Sequence, residues 1–303
     1  MPHYTMPDGA QLFVREYGQG EPVLVLSGLG MQSWQWHPFL YTHRKDFKFI
    51  IPDWRGFGGS KNCAIPDLDT ISSHWRDIES LVEQLGYEQL TVIAYSMGAT
   101  TTMHGLKYGQ FAERIKAYLH IDQTPKISVD VDWKYGLYGK RHTEFLDILQ
   151  NISTVLEPNL AVPFAQQMDQ GSRQQLINAW LRFIDLQNSN PLSLKLFHYA
   201  YNQALLQKVM LPSQSVAYLY WYIQNYLHHK EDYREAIAQL KAPTTFFTGE
   251  KSILYAAQGQ RIVADSLAHA TQIIFHKSGH TPLISEPIKF SREITKFLNQ
   301  HHH

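Results

Sequence analysis

The stretch from Leu90 to Met103, LTVIAYSMGATTTM, constrains this chain more than any other. Leu90 to Tyr95 reads as an apolar strand covered on both faces, Ser96-Met97-Gly98 turns, and the small residues that follow can open a helix. A strand that runs into a helix through a serine between small residues matches the G-x-S-x-G turn, which exposes a hydroxyl above a sheet. Here the first position is Ala94 in place of glycine. Alanine has almost no side chain, so strand and helix can still approach closely, and Gly98 keeps the second small position. An ordinary turn serine fits the same residues, so the surroundings must decide.

Strand-like and helix-like stretches alternate around this turn. His3 to Tyr17 reads as two short strands about Asp8-Gly9, a hairpin signal. Val23 to Leu26 is an apolar run ending at Ser27-Gly28-Leu29-Gly30, and Phe47 to Ile51 is another, ending in the run PDWRGFGGS from Pro52 to Ser60. Ile71, Trp75, Ile78, Leu81, Val82 and Leu85 fall at helical spacing before Gly86. Beyond the Ser96 segment, the strand Ala117 to Ile121 ends in Asp122. This alternation predicts an α/β fold, a mostly parallel sheet with helices on both faces and functional loops at the C-terminal ends of its strands.

From about Lys126 to Tyr233 the pattern is helical throughout and dense in aromatics: Trp180, Phe183, Phe197, Tyr199, Tyr201, Tyr218, Tyr220, Trp221, Tyr222 and Tyr226. Strands resume with Thr244 to Gly249 and Thr271 to Phe275, with a helix near Ala256 to Leu267 between them and a last helix from Glu286-Pro287 to Leu298. Gly279-His280 lies in the loop before that last helix. The expected organisation is a core of residues 1–125 and 236–303, with a helical cap of residues 126–235 inserted after the sixth strand. Most cap aromatics are expected to pack the cap's own core, and a few to line an apolar pocket.

Composition narrows the function classes. Lys+Arg and Asp+Glu are both 27 in 303 residues, a formal net charge of +0, which argues against a phosphate-tracking surface and hence against nucleic acid as partner. The single cysteine, Cys63, excludes an internal disulfide framework and an all-thiolate metal site, and suits a reducing cytoplasm. No run approaches the ~20 apolar residues of a spanning helix, and MPHYTMPDGA has neither the basic start nor the apolar segment of a leader. The expectation is a soluble cytoplasmic protein that acts on a small molecule with no metal and no cofactor, its oligomeric state unspecified.

Four features occur in order: the strand followed by Ser27-Gly28, the D-x-R-G-x-G-x-S-like run from Asp53 to Ser60, the Ala94 to Gly98 elbow, and Gly279-His280. Jointly they resemble an α/β-hydrolase with a helical cap over nearly the whole chain. Serine is a weak nucleophile until an imidazole takes its proton, and the resemblance makes His280 the base for Ser96. It also implies an oxyanion hole formed by the backbone N–H groups of Leu29 and Met97. Two positions depart from the family pattern. Ser27 stands where a histidine is usual, and Ser252 stands where the acid normally follows the strand Thr244 to Gly249. The orienting carboxylate must then come from elsewhere. Asp122, at the family's alternative location, is the first candidate, and Glu250 is the other.

These residues imply a serine hydrolase, a carboxylic ester hydrolase or lactonase, acting on an uncharged substrate with an apolar acyl part. An N-acyl-homoserine lactone is one such substrate, and its cleavage would degrade a bacterial quorum signal. A second reading stays open, because Asp122 together with PDWRGFG also resembles the cofactor-independent 2,4-dioxygenases that open 3-hydroxy-4-quinolones with O₂. There a histidine–aspartate pair deprotonates the substrate and the serine orients it; Leu29 to Ser33 lacks the histidine that some of those enzymes carry. Gly28-Leu29-Gly30 with Asp53 further on also mimics a dinucleotide fingerprint, but Ser33-Trp34 stands where a third glycine would be needed. A non-catalytic ligand-binding relative would have no need of Ser96, Asp122 and His280 together. In ester turnover, Asp122→Asn is expected to lose orders of magnitude in rate and Ser252→Ala to change little.

Overall fold

A computed structural model describes residues 2–187 and 214–302; Phe197, Tyr199 and Tyr201 lie outside them. The strands are β1 (His3–Thr5), β2 (Gln11–Gly18), β3 (Glu21–Leu26), β4 (Phe47–Pro52), β5 (Leu90–Tyr95), β6 (Ile115–Ile121), β7 (Thr244–Gly249) and β8 (Ala270–Phe275). They form one sheet in the order β1-β2-β4-β3-β5-β6-β7-β8. β1 and β2 pair antiparallel, and β2 adds antiparallel to β4. β3 to β8 are parallel. Every residue of β5 and of β7 is buried, which is why neither strand carries a charged residue or alternates apolar with exposed positions.

Strand order positions the site. β3 pairs with β4 on one side and β5 on the other, so the chain lays down β4 and then crosses over to lay down β5. Such a switch leaves a crevice beyond the C-terminal ends of the two diverging strands. Ser27-Gly28 follows β3 and Ser96 follows β5.

One side of the sheet is packed by Val23, Val25, Phe49, Ile51, Ile93, Leu119, Phe247 and Phe275, together with Trp36, Leu40 and the Phe290, Ile294, Phe297 and Leu298 face of the helix Pro287–Gln300. The helix Thr70–Leu85 starts where the Asp69 carboxylate accepts the N–H groups of Ile71 and Ser72 at 3.0 and 3.1 Å, a cap of ~1 kcal/mol. It ends at Gly86, whose φ of 70° is left-handed. The helix Met97–Tyr108 lies close against β3: a Cβ on Gly98 would sit 2.2 Å from the Leu26 carbonyl oxygen.

The PDWRGFG run is a scaffold. Asp53 is buried and accepts the N–H groups of Ser33 and Gly59 at 2.6 and 2.8 Å, so it is not presented to a ribose. The Arg55 guanidinium forms two-pronged bonds to Asp77 and to Asp8, all at 2.6–3.0 Å, tying the β1–β2 turn to the helix Thr70–Leu85.

The chain divides into two compact units, residues 1–139 with 230–303 and residues 140–229. Residues 126–139 belong to the first and are not helical up to Tyr138, because Asp130 draws in the N–H groups of Asp132 and Trp133 as a turn. The second unit contains the helices His142–Leu156, Gln170–Gln187 and Val216–His228. Phe145 stands at its centre, 6.3 Å from both the Phe183 and Tyr226 rings, with Ile148, Ile152, Leu176, Ile177 and Tyr222 also buried. Among the described residues no helix is long and apolar enough to cross a membrane.

Two histidines are sealed in the first unit. His74 stacks on Trp54 at 4.4 Å, and burial holds its pKa down to about 3. His120 is held down to about 4 by the same cause. Its Nε2–H donates to the Gln123 carbonyl at 3.1 Å, so Nδ1 must accept from the Tyr118 hydroxyl at 2.9 Å, and the neutral ring is fully used. Since the unfolded chain takes up these protons below pH ~6.5 and the folded chain does not, stability falls on acidification, by up to ~1.4 kcal/mol per pH unit for each histidine. Urea unfolding at pH 7.5 and 5.5 should show the loss, and His74→Phe should flatten it; greater stability at pH 5.5 would contradict this account. Gly98→Val should lower the unfolding midpoint sharply by forcing the helix off β3.

Candidate active site

At the elbow the sheet ladder runs up to the serine itself: the Ser96 N–H donates to the Ile121 carbonyl at 3.0 Å. Its backbone then turns to φ 52° and ψ −117°, a conformation that a non-glycine residue adopts at a cost of ~1–3 kcal/mol. The turn lifts the side chain off the sheet, and Ala99 and Thr100 return their N–H groups to the Ser96 carbonyl at 2.8 and 3.1 Å to start the helix. Ala94 is fully buried, so the small side chain serves where the motif has glycine.

Asp122 repeats this geometry one strand over. Its N–H donates to the Phe247 carbonyl at 2.9 Å, and its φ is 43°. The carboxylate is fully buried and takes four hydrogen bonds. Oδ1 accepts from the Gly249 N–H and from Gln260 Nε2, both at 2.9 Å; Oδ2 accepts from the Ser252 hydroxyl at 2.8 Å and from His280 Nδ1 at 2.7 Å. Because a carboxylate in this position only accepts, the proton sits on Nδ1. His280 Nε2 is then left as the acceptor for the Ser96 hydroxyl, 2.9 Å away.

The His280 loop is fixed from both sides. The Tyr95 hydroxyl donates to the His280 carbonyl at 3.0 Å, and the rings of Tyr95 and Tyr255 lie 5.2 and 5.5 Å from the imidazole. Gly249 permits the approach, since a Cβ there would meet the Gly279 carbonyl at 1.9 Å. Ser278 and Glu286 close the loop through a 2.7 Å hydrogen bond.

Glu250, the other acid candidate, faces away from this cluster. Its carboxylate bonds His276 at 2.7 Å and Arg261 at 3.4 Å on an exposed edge, and these contacts, the His276 hydrogen bond first, hold it below the usual range. Ser252, expected from the sequence to matter little, turns its hydroxyl onto the Asp122 carboxylate at 2.8 Å. Met97 is the first residue of its helix, so its N–H has no partner within it. Leu29 follows Gly28, whose added Cβ would come within 3.4 Å of the Ser96 Cβ; the loop therefore abuts the serine. At Ser27, two tryptophans do the packing: Trp36 Nε1–H donates to its hydroxyl at 3.0 Å and Trp54 Nε1–H to its carbonyl at 2.8 Å. Gln260, Gly249 and Tyr95 also hold the site and carry no local signal in the sequence, because their partners lie 138, 127 and 185 residues away.

The family profile of the alpha/beta hydrolase fold matches residues 21–287. The chain is 22% identical over 281 residues to a pimeloyl-(acyl-carrier protein) methyl ester esterase of Nitrosomonas europaea, covering 93% of this chain and 97% of that protein. Over 288 residues it is also 22% identical to the esterase of that name from Legionella pneumophila, with the same coverage of each. Among solved structures, an esterase from Exiguobacterium antarcticum aligns with a TM-score of 0.68 at 17% identity, over 98% of this chain and 99% of that one. A thermophilic esterase from Thermogutta terrifontis gives 0.70 at 15%, over 100% and 98%. At those identities the structures demonstrate a shared fold, and the profile match extends across most of the sequence. The chain belongs to the α/β-hydrolase family, as an esterase-like member of it.

Proposed function

We propose that this protein is a serine hydrolase that cleaves an uncharged carboxylic ester or lactone with an apolar acyl part. The hydrogen-bonded relay from Ser96 Oγ through His280 to Asp122, 2.9 and 2.7 Å, carries this reading. As Ser96 Oγ attacks the substrate carbonyl, its proton passes to His280 Nε2, and the buried Asp122 carboxylate stabilises the imidazolium that forms. The carbonyl oxygen becomes an oxyanion held by the N–H groups of Met97 and Leu29, each such donor worth about 10²- to 10³-fold in rate. Collapse expels the alkoxide, which takes the proton from Nε2; water then repeats the sequence on the acyl-enzyme and releases the acid and Ser96.

The apolar preference is supported by the zero formal charge and by the environment of His280, flanked by Tyr95 and Tyr255, with Leu29 42% exposed beside the serine. The methyl ester esterases among the relatives suggest a small alcohol as leaving group. Within this class, N-acyl-homoserine lactones remain candidate substrates, and the single cysteine, Cys63, suits work in a reducing cytoplasm.

An acyl-length series of p-nitrophenyl esters, acyl methyl esters and N-acyl-homoserine lactones tests the proposal alongside a fluorophosphonate probe. Labelling should fall on Ser96 and disappear in Ser96→Ala, while Asp122→Asn should lower kcat about 10³- to 10⁴-fold with the fold intact. No labelling and no turnover would remove the reading. O₂ consumption with a 3-hydroxy-4-quinolone, without ester turnover, would assign the His280–Asp122 pair to dioxygenation instead.

A further inference from the structure

We propose that Ser252 and Gln260 are positioning residues that together aim the Asp122 carboxylate at His280, an inference that rests on the serine-hydrolase reading. Relocating the acid to β6 creates a geometric problem. Asp122 sits at the tip of its own strand, and its carboxylate must reach across the end of β7 to the loop after β8. A carboxylate rotates about two single bonds, so one hydrogen bond to His280 would not fix it. Three more donors do so: the Gly249 N–H, which is backbone, and the side chains of Ser252 and Gln260.

The chemistry of Gln260 shows which purpose it serves. Nε2 donates to Asp122 Oδ1 at 2.9 Å and to the Tyr255 carbonyl at 3.0 Å, and both partners are pure acceptors. Turning the amide over would set Oε1 against two acceptor oxygens, so its orientation is fixed. Among the described residues Oε1 has no hydrogen-bond partner, on a side chain only 1% exposed. A buried acceptor without a donor destabilises a fold. A leucine of similar size would remove that acceptor, but it would also take one of four donors from the buried Asp122 carboxylate and the Nε2–H donor from the Tyr255 carbonyl. With its orientation fixed, the amide holds Asp122 in one direction.

Ser252 is aimed by the same segment. The Tyr255 N–H donates to its Oγ at 3.4 Å, which occupies a lone pair and leaves the hydroxyl hydrogen to point at Asp122 Oδ2, 2.8 Å away. Oδ2 is the oxygen that also accepts from His280, so Ser252 sets the angle from which that bond is made. The position that ordinarily supplies the acid has become a donor to the acid's replacement.

Ser252→Ala and Gln260→Leu test this through kcat, KM, the thermal midpoint and the low-field proton resonance of His280 Nδ1–H, assigned by its loss in His280→Asn. Each variant is expected to lower kcat about 10- to 100-fold with KM within about twofold of the parent. In both variants the resonance should shift or broaden at temperatures well below the melting midpoint. An unchanged kcat and resonance would overturn the proposal, and so would a kcat that falls only in step with a lowered melting midpoint. The resonance reads the Asp122–His280 bond without turnover, so a protein that cleaves no ester, which would sink the proposed function, still tests the positioning role.

Discussion

The site depends on the sheet ladder being carried one hydrogen bond beyond the end of two strands. Ser96 N–H to Ile121 and Asp122 N–H to Phe247 lock the backbone up to each functional residue, and a positive φ then turns each side chain out of the sheet. Two strained residues on neighbouring strands stay in place because the strands beneath them are buried along their length, with every residue of β5 and β6 except Lys116 inaccessible. A softer edge would relax both turns and separate the proposed nucleophile from its base by more than a hydrogen bond.

The proposed placement of the acid at the tip of β6 shows how such a framework can absorb a chemical change. Parallel neighbours lie about 4.8 Å apart, so the tips of β6 and β7 are alternative stations for one carboxylate facing the same imidazole. With the carboxylate on β6, the β7 side is left to supply hydrogen-bond donors, and it does so through Gly249, Ser252 and Gln260. The buried charge is thereby met by dipoles in a region where an unpaired carboxylate would be very costly.

The PDWRGFG run carries a different lesson. Its residues look like chemistry: an acid, an indole and a guanidinium after a strand in a glycine-rich loop. In the structure Asp53 holds backbone amides, Arg55 is neutralised by Asp8 and Asp77, and Trp54 supports the Ser27 carbonyl. The run shapes the loop in which Leu29 stands and offers no reactive group of its own. Trp36 and Trp54 together hold that loop at Ser27 through their indole N–H groups.

By itself the sequence determined the alternation of strands and helices, the elbow at Ser96, the order of the motifs and the candidacy of Asp122 and His280. The alternation and the elbow are local patterns of hydrophobic period and turn chemistry, written in consecutive residues; the candidacy of Asp122 and His280 is what the resemblance to the α/β-hydrolases implies. Only the tertiary structure decided that Asp122, and not Glu250, faces His280. It also showed that Ser252 and Gln260 converge on that carboxylate, and that residues 126–139 belong with the sheet despite their place beside the helical insertion. The reason is that hydrogen bonds spanning more than a hundred residues are made by strand register, which brings the ends of β5, β6, β7 and β8 side by side and which no stretch of sequence near Ser252 or Gln260 encodes.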